Sequence, residues 1–418
     1  MRPTTGPPIW RAKGAASRAL PSTSLPASSL PATAAAIDFS RVRQSEYRWT
    51  GRLSYLNAAS WGPLPERARV AVAEFNHKRQ LADLSDVDFT ALLTRARSAA
   101  AALIGAKPAE IALTQNTTTG INLAAHFVTL RASENRRAVV LCDREFPANI
   151  YPWLTLRERG FPVRIIPTRA DGNPDEPALL EALHQPDVVA FGYSFVQFAT
   201  GFRADLTEFG RVCNERGILF CVDAIQGVGA VPLNVRQAGI DVLACGAQKW
   251  LCSPWGSGFA FVREELCTEF EPYLPGWLAF RASRDFTRLV QYEYDLVDDG
   301  ERFEVGTQSY EACVGFAEAV ELLDSLGVER IHRHILGLHD RIIDWARVRG
   351  NVAVVSDQNA RSGILCIRPP AAAMAHRSLL DAGITCALRE GAIRISPHFY
   401  NTIEDVDRLI DVLDSSLQ

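Results

Sequence analysis

Two charged residues stand where a buried sheet would ordinarily carry none. Asp223 ends the apolar run Ile218–Val222, and Lys249 follows a second run, Val242–Cys245, after Gly246-Ala247-Gln248. Both runs have strand length. A bare ion at the mouth of an apolar sheet is costly unless something pairs with it. Taken singly, Asp223 reads as a helix cap and Lys249 as a solvated residue beyond its strand. Their surroundings change that reading. Gln226 lies three residues after Asp223. Upstream, Thr114–Asn122 runs Thr-Gln-Asn-Thr-Thr-Thr-Gly-Ile-Asn, directly after the apolar Ile111-Ala112-Leu113. Hydroxyls and backbone N–H groups at a helix start form a phosphate cup, although a Thr-Thr-Thr-Gly string alone is an ordinary helix cap.

A lysine amine, a strand-end carboxylate and a phosphate cup together suit one cofactor, pyridoxal 5′-phosphate (PLP). The lysine forms a Schiff base and the aspartate partners the pyridinium nitrogen. In this order the motifs resemble the class V aminotransferases of PLP fold type I. That family includes cysteine desulfurases, selenocysteine lyases, kynureninase, isopenicillin-N epimerase and C–S lyases. The resemblance runs from about Tyr55 to Leu413.

The resemblance implies an α/β fold: a large, mostly parallel seven-stranded sheet between helices, and a smaller α+β C-terminal domain. The implied division is 55–305 for the PLP-binding domain and 306–418 for the small domain, with 37–54 packing near the latter. Around the cofactor it implies hydroxyls from Thr118 and Thr117 (or Thr119) on the phosphate, with Gln248 as a further donor. It places Phe146 against the ring and Gln197 and Gln226 near the phenolic oxygen. Thr307, in Arg302-Phe303-Glu304-Val305-Gly306-Thr307, would reach a neighbour's phosphate in a homodimer with shared sites. Arg394 resembles the arginine that binds the substrate α-carboxylate through a bidentate fork. Asn57 to Ser60 either line the substrate pocket or form an ordinary turn.

The chemistry implied is that of a small amino acid passing through an external aldimine and a quinonoid, with freed Lys249 as base at Cα. Transamination is the expected outcome. A C–S or β-lyase or an epimerase is the alternative, and an inactive PLP-fold binding protein is the non-enzyme alternative. Two departures count against a cysteine desulfurase. Phe146 stands where those enzymes carry a proton-shuttling histidine. The run Cys386-Ala387-Leu388-Arg389-Glu390-Gly391 leaves no room for their long thiol-bearing loop, and Cys386 lies in an apolar run that predicts an inert thiol. Gly227-Val228-Gly229 lacks the third glycine and the placement of a dinucleotide motif.

The elements that must position these residues are legible as period and punctuation. Apolar spacing predicts helices over 67–80, 89–104, 151–159, 207–216, 310–326, 331–348 and 375–382. Strands are predicted over 138–142, 163–167, 187–194, 241–245, 363–368 and 393–396. His332, His334 and His339 fall in one of the helices and are expected to be solvated, not metal ligands. Trp61, Trp277 and Phe280 are candidates for an aromatic substrate pocket.

Composition bounds the rest. The chain has 418 residues, is 47% hydrophobic and carries a formal charge of −4. A slightly acidic balance gives no footprint for nucleic acid, and no apolar run approaches the roughly 20 residues of a membrane span. The nine cysteines fall mostly in strand-like runs and lack a CxxC, which points to reduced core residues in a cytoplasmic protein. Residues 1–36 are rich in Ala, Pro and Ser, with basic residues and no acid. A disordered tail is expected there; a transit peptide or a misplaced start has the same composition.

Overall fold

The computed structural model describes residues 38–417, so the expectation of a disordered tail lies outside the described residues. The strands, in chain order, are β1 Ser54–Tyr55, β2 Ile111–Thr114, β3 Ala138–Cys142, β4 Val163–Ile166, β5 Val188–Ser194, β6 Leu219–Asp223, β7 Val242–Gly246, β8 Gly258–Val262, β9 Ala353–Val354, β10 Leu365–Arg368, β11 Ile384–Thr385, β12 Ala387–Arg389 and β13 Ala392–Ile395. The helices are α1 Phe39–Glu46, α2 Glu66–Gln80, α3 Phe89–Ile104, α4 Thr117–Arg131, α5 Tyr151–Glu158, α6 Glu176–Leu183, α7 Leu206–Arg216, α8 Glu264–Glu269, α9 Tyr310–Leu326, α10 Val328–Arg349, α11 Ala372–Asp381 and α12 Ile403–Ser416.

Seven strands form the main sheet in the order β2-β8-β7-β6-β5-β3-β4. Only β8 runs antiparallel to its neighbours, β2 and β7. The strands β3, β5, β6 and β7 are buried throughout, as expected of parallel strands covered on both faces. Helix starts are set by side-chain caps: Asp88, Asn116, Asp175 and Asp205 each accept a backbone N–H from the first turn.

A second, antiparallel sheet has the order β12-β13-β10-β9. Leu365, Ile367, Ile393 and Ile395 pack with Leu338, Ile342, Leu379 and Leu409 of α10, α11 and α12 in one apolar cluster. The lead-in segment ties onto this unit. Tyr55 pairs with Thr385 and Asn57 bridges Ser396, while Phe39 and Tyr47 meet the rings of Phe399 and Tyr400.

The histidines of α10 correct one expectation. His332 and His339 point inward and are buried, and only His334 is partly exposed. The cause is the broad apolar stripe of Ile331, Ile335, Leu338 and Ile342, which turns that face to the core. His332 Nδ1 lies 3.0 Å from the Ala230 carbonyl and His334 Nε2 2.9 Å from that of Asn401. Burial pushes His339 down to about 3, so it is neutral near pH 7.

Candidate functional site

The parallel strands deliver their C-terminal ends to one edge of the sheet. Asp223 is the last residue of β6, and Lys249 follows β7 in a tight turn. β6 and β7 are hydrogen-bonded neighbours. Asp223 is buried, and its Oδ1 accepts the Ile225 N–H at 3.1 Å. Burial pushes its carboxyl up, the Ile225 bond pulls it back, and the buried Glu145 nearby pushes it up again. Burial likewise pushes the Lys249 amine down, and Asp223 offsets part of that. The amine is therefore poised to lose its proton more readily than a solvated lysine.

Lys249 Nζ lies 5.3 Å from the centroid of the Phe146 ring. That ring is 42% exposed, so it is a face open to a ligand and not a core aromatic. Its edge rests on Phe198 at 5.3 Å between centroids.

The helix start at Thr117 forms the opposite wall. Asn116 caps α4 by accepting the Thr119 N–H at 3.0 Å. The Thr117 hydroxyl is buried and accepts the Gly246 N–H at 2.9 Å, which fixes α4 to the end of β7. Thr118, one residue on, is exposed. A Cβ on Gly246 would lie 2.7 Å from Gln248 Oε1 and 3.2 Å from Thr117 Oγ1. Thr117, Gly246 and Gln248 thus converge beside the first turn of α4, whose leading N–H groups have no partner within the helix, a ready anion site.

Gln197 and Gln226 sit in the cluster, but their amides are engaged. Gln197 is buried and its Nε2 donates to Glu145 Oε1 at 2.9 Å. Gln226 is a brace: Nε2 donates to the Ala59 carbonyl at 3.0 Å and Oε1 accepts the Trp250 indole N–H at 3.0 Å. It links the lead-in segment to the residue next to Lys249.

Arg394, on β13, is 2% exposed and forms no ion pair among the described residues. Its Nη1 donates to the Phe198 carbonyl at 3.0 Å and its Nη2 to the Ser60 hydroxyl at 2.8 Å. Its Nε has no partner. Burial, and then the charge of Arg389, lower it to about 10. It remains a cation, and its orphaned N–H asks for an acceptor. Ser60 in turn donates to Asn57 Oδ1 at 2.8 Å, so the Asn57–Ser60 turn holds the arginine. Gly62 follows; a Cβ there would collide with the Lys249 carbonyl.

Thr307 and the three aromatic candidates make other contacts. Thr307 is exposed and accepts the Trp277 indole N–H at 3.4 Å; no contact joins it to Lys249 within its own chain. Trp61 packs on Tyr55 at 4.9 Å, whereas Trp277 and Phe280 flank a groove with Tyr292 and Tyr294. One member went unassigned in the sequence: Glu145. Fully buried, it accepts from the Ser194 N–H and Gln197 (2.9 Å each), Asn149 (3.2 Å) and the Ser194 hydroxyl. An acid three residues past a buried strand, beyond an exposed Asp143, is the available signal.

A family model, that of the class V aminotransferases, matches residues 67–409. The chain belongs to this family. Similar class V relatives include an uncharacterized aminotransferase, YcbU, of Bacillus subtilis, 28% identical over 76% of this chain and 81% of its own. A probable cysteine desulfurase of Methanothermobacter thermautotrophicus is 29% identical over 86% of this chain and 94% of its own. Cysteine desulfurase is the name that recurs among the relatives. A solved structure of the protein C-DES, a variant with glycine covalently linked to its PLP cofactor, superposes with a TM-score of 0.78. It is 20% identical and covers 88% of this chain and 98% of its own. The fold is PLP fold type I.

The cofactor of this class V chain is PLP. The residues fit it. A lysine with a depressed amine, a buried carboxylate with one oxygen free of backbone donors, an exposed aromatic face and a helix-start anion site meet at one sheet edge.

Proposed function

We propose that this class V enzyme eliminates a substituent from Cβ of a small α-amino acid, in preference to transamination. The observation that carries the amino-acid substrate is Arg394: a buried guanidinium with no acidic partner among the described residues and an orphaned Nε, within electrostatic reach of the Lys249 amine. A carboxylate supplied by a substrate is the partner this arginine lacks.

Lys249, Asp223, Phe146, Thr117, Thr118 and Gln248 would hold PLP, which supplies an electron sink when bound. Arg394 anchors the α-carboxylate, its plane fixed by Phe198 and Ser60. Lys249 takes the Cα proton; burial lowers its amine to about 8, so it gives up its own proton more readily than a solvated lysine. Phe146 excludes water from one face and moves no proton.

The names borne by the relatives favour lyase-type chemistry over transamination. A sulfur relay through a protein thiol has little support, because all nine cysteines are free and buried and burial pushes Cys386 up to about 12. Nine reduced thiols also support a cytoplasmic setting. A homodimer belongs to this reading, with Thr307 serving a neighbour's site. The exposed Tyr273, Leu274, Phe286, Val290, Tyr292 and Tyr294 supply an apolar surface for it.

The test is a panel of amino acids given to the holoenzyme, scored together for keto acid, pyruvate with ammonia, sulfide and loss of chirality. Pyruvate and ammonia in equal amounts, without an added keto acid, are expected. Keto acid that forms only with an added acceptor would replace elimination by transamination. A protein that stays colourless with PLP would point to a silent binding module.

A further inference from the structure

The small sheet carries more positive charge beside the site than one substrate carboxylate requires. In its register Ala387 lies opposite Arg394, and Arg389 opposite Ala392. On the other side Cys366 lies opposite Arg394, with Arg368 two residues further along β10. Side chains alternate along a strand, and opposed residues share a face. Arg394, Arg389 and Arg368 therefore share one face, the outer two flanking Ala392. It is the face turned to the site: Cys366 Sγ lies 3.2 Å from the Ala199 carbonyl, and Arg394 reaches Phe198. The opposite face holds the apolar cluster with α10 to α12.

None of the three has an acidic partner among the described residues. Among the described residues the Arg389 side chain donates only to the carbonyl of its neighbour Leu388, at 2.9 Å, and the Arg368 side chain makes no hydrogen bond or ion pair. The acid nearest in sequence, Glu390, is taken by Arg144 at 3.4 Å. Arg389 lies close enough to lower both Arg394 and Lys249. Arg389 and Arg368 are exposed at the outer end of this face, where a bound anion would pair with them.

We propose that Arg389, with Arg368 behind it, selects amino acids that carry a second anionic group at or beyond Cβ. The inference rests on Arg394 holding the α-carboxylate, as proposed above. With that end fixed, a substrate side chain directed along the strip would meet Arg389, whose planar fork suits a carboxylate or phosphate.

The experiment compares O-phospho-L-serine and L-aspartate with L-serine and L-alanine on the holoenzyme. It reads the visible spectral shift on binding and the initial rates. The anionic pair should bind about tenfold more tightly than the neutral pair, as a charge-assisted fork would give. Arg389→Gln should cut the kcat/KM ratio of phosphoserine to serine about tenfold and Arg368→Gln less, while Arg389→Lys, which keeps the charge and loses the fork, should restore only part of it. Raising salt from about 50 to about 500 mM should erode the same ratio. A response to alanine and serine with no anionic preference, or an equal loss for both classes in Arg389→Gln, would overturn this inference alone. No response to any of the four would overturn it together with the amino-acid reading.

Discussion

The Ser60 hydroxyl lies 2.8 Å from Nη2 of Arg394, 334 residues away in the chain. The same hydroxyl donates to Asn57 at 2.8 Å, so it orients the fork without neutralising it. Arg394→Ala should raise KM for amino acids by two orders of magnitude or more, because a buried charge-assisted pair is lost, roughly 3 kcal/mol. Ser60→Ala should raise KM about fivefold, the value of one hydrogen bond near 1 kcal/mol, with kcat little changed. Steady-state kinetics decide; equal effects on kcat and KM in Ser60→Ala would mean that the turn positions Lys249 as well.

Lys249→Ala should remove the visible band of protein-bound cofactor and lower turnover by at least about 10³-fold, the range of a positioned acid–base group. Borohydride treatment of the unaltered protein, followed by peptide mapping, should place the cofactor on residue 249. A label on any other lysine would refute the site.

Asp223 carries a pH signature in the cofactor-free protein. Its folded pKa is raised above its unfolded value, chiefly by burial. The native state keeps a proton that the unfolded chain gives up, so this group's stability is full below about pH 4 and is lost as pH rises toward neutrality. Lys249 has the opposite shift. Its burial penalty is complete at neutral pH and is relieved as pH climbs above its lowered pKa toward 10. Asp223→Asn in the apo form should therefore flatten the fall in melting temperature between about pH 4 and pH 7, while abolishing turnover. An unchanged slope would show that Asp223 is not the group responsible.

Cys386→Ala should leave product release within about twofold, since a thiol held near 12 by burial is not a nucleophile at neutral pH. Loss of sulfide release from cysteine in that variant would restore the thiol relay.

Glu145 accepts four hydrogen bonds. Glu145→Ala leaves those donors buried and unpaired and should cost about 3 kcal/mol or more, read as a lower denaturation midpoint. Glu145→Gln keeps the shape and should recover part of it. Full stability in the alanine variant would mean water replaces the carboxylate.

Much of this was legible because it is local. Phe89–Ile104, Ala138–Cys142 and Tyr310–Leu326 are bounded by period, caps and breakers, and the structure has them at those limits. Asp223 and Lys249 stood out because charge at the end of an apolar run is expensive. What sequence could not carry was pairing across distance. Nothing near Ser60 announces Arg394, and nothing near Ala59 announces Gln226. Polarity alone predicts solvated histidines on α10, whereas the apolar stripe of that helix turns His332 and His339 inward. Thr307 could be placed by resemblance only, and its own chain does not bring it to Lys249.

Residues 57–62 touch three parts of the site in sequence: Ser60 meets Arg394, Ala59 meets Gln226, and Gly62 lies against the Lys249 backbone. Six consecutive residues thereby act as a spacer that sets how far the anchor for one end of a ligand stands from the reactive amine. A one-residue insertion there would lengthen the spacer without altering any reactive group, and the enzyme would be left with intact tools held at the wrong reach.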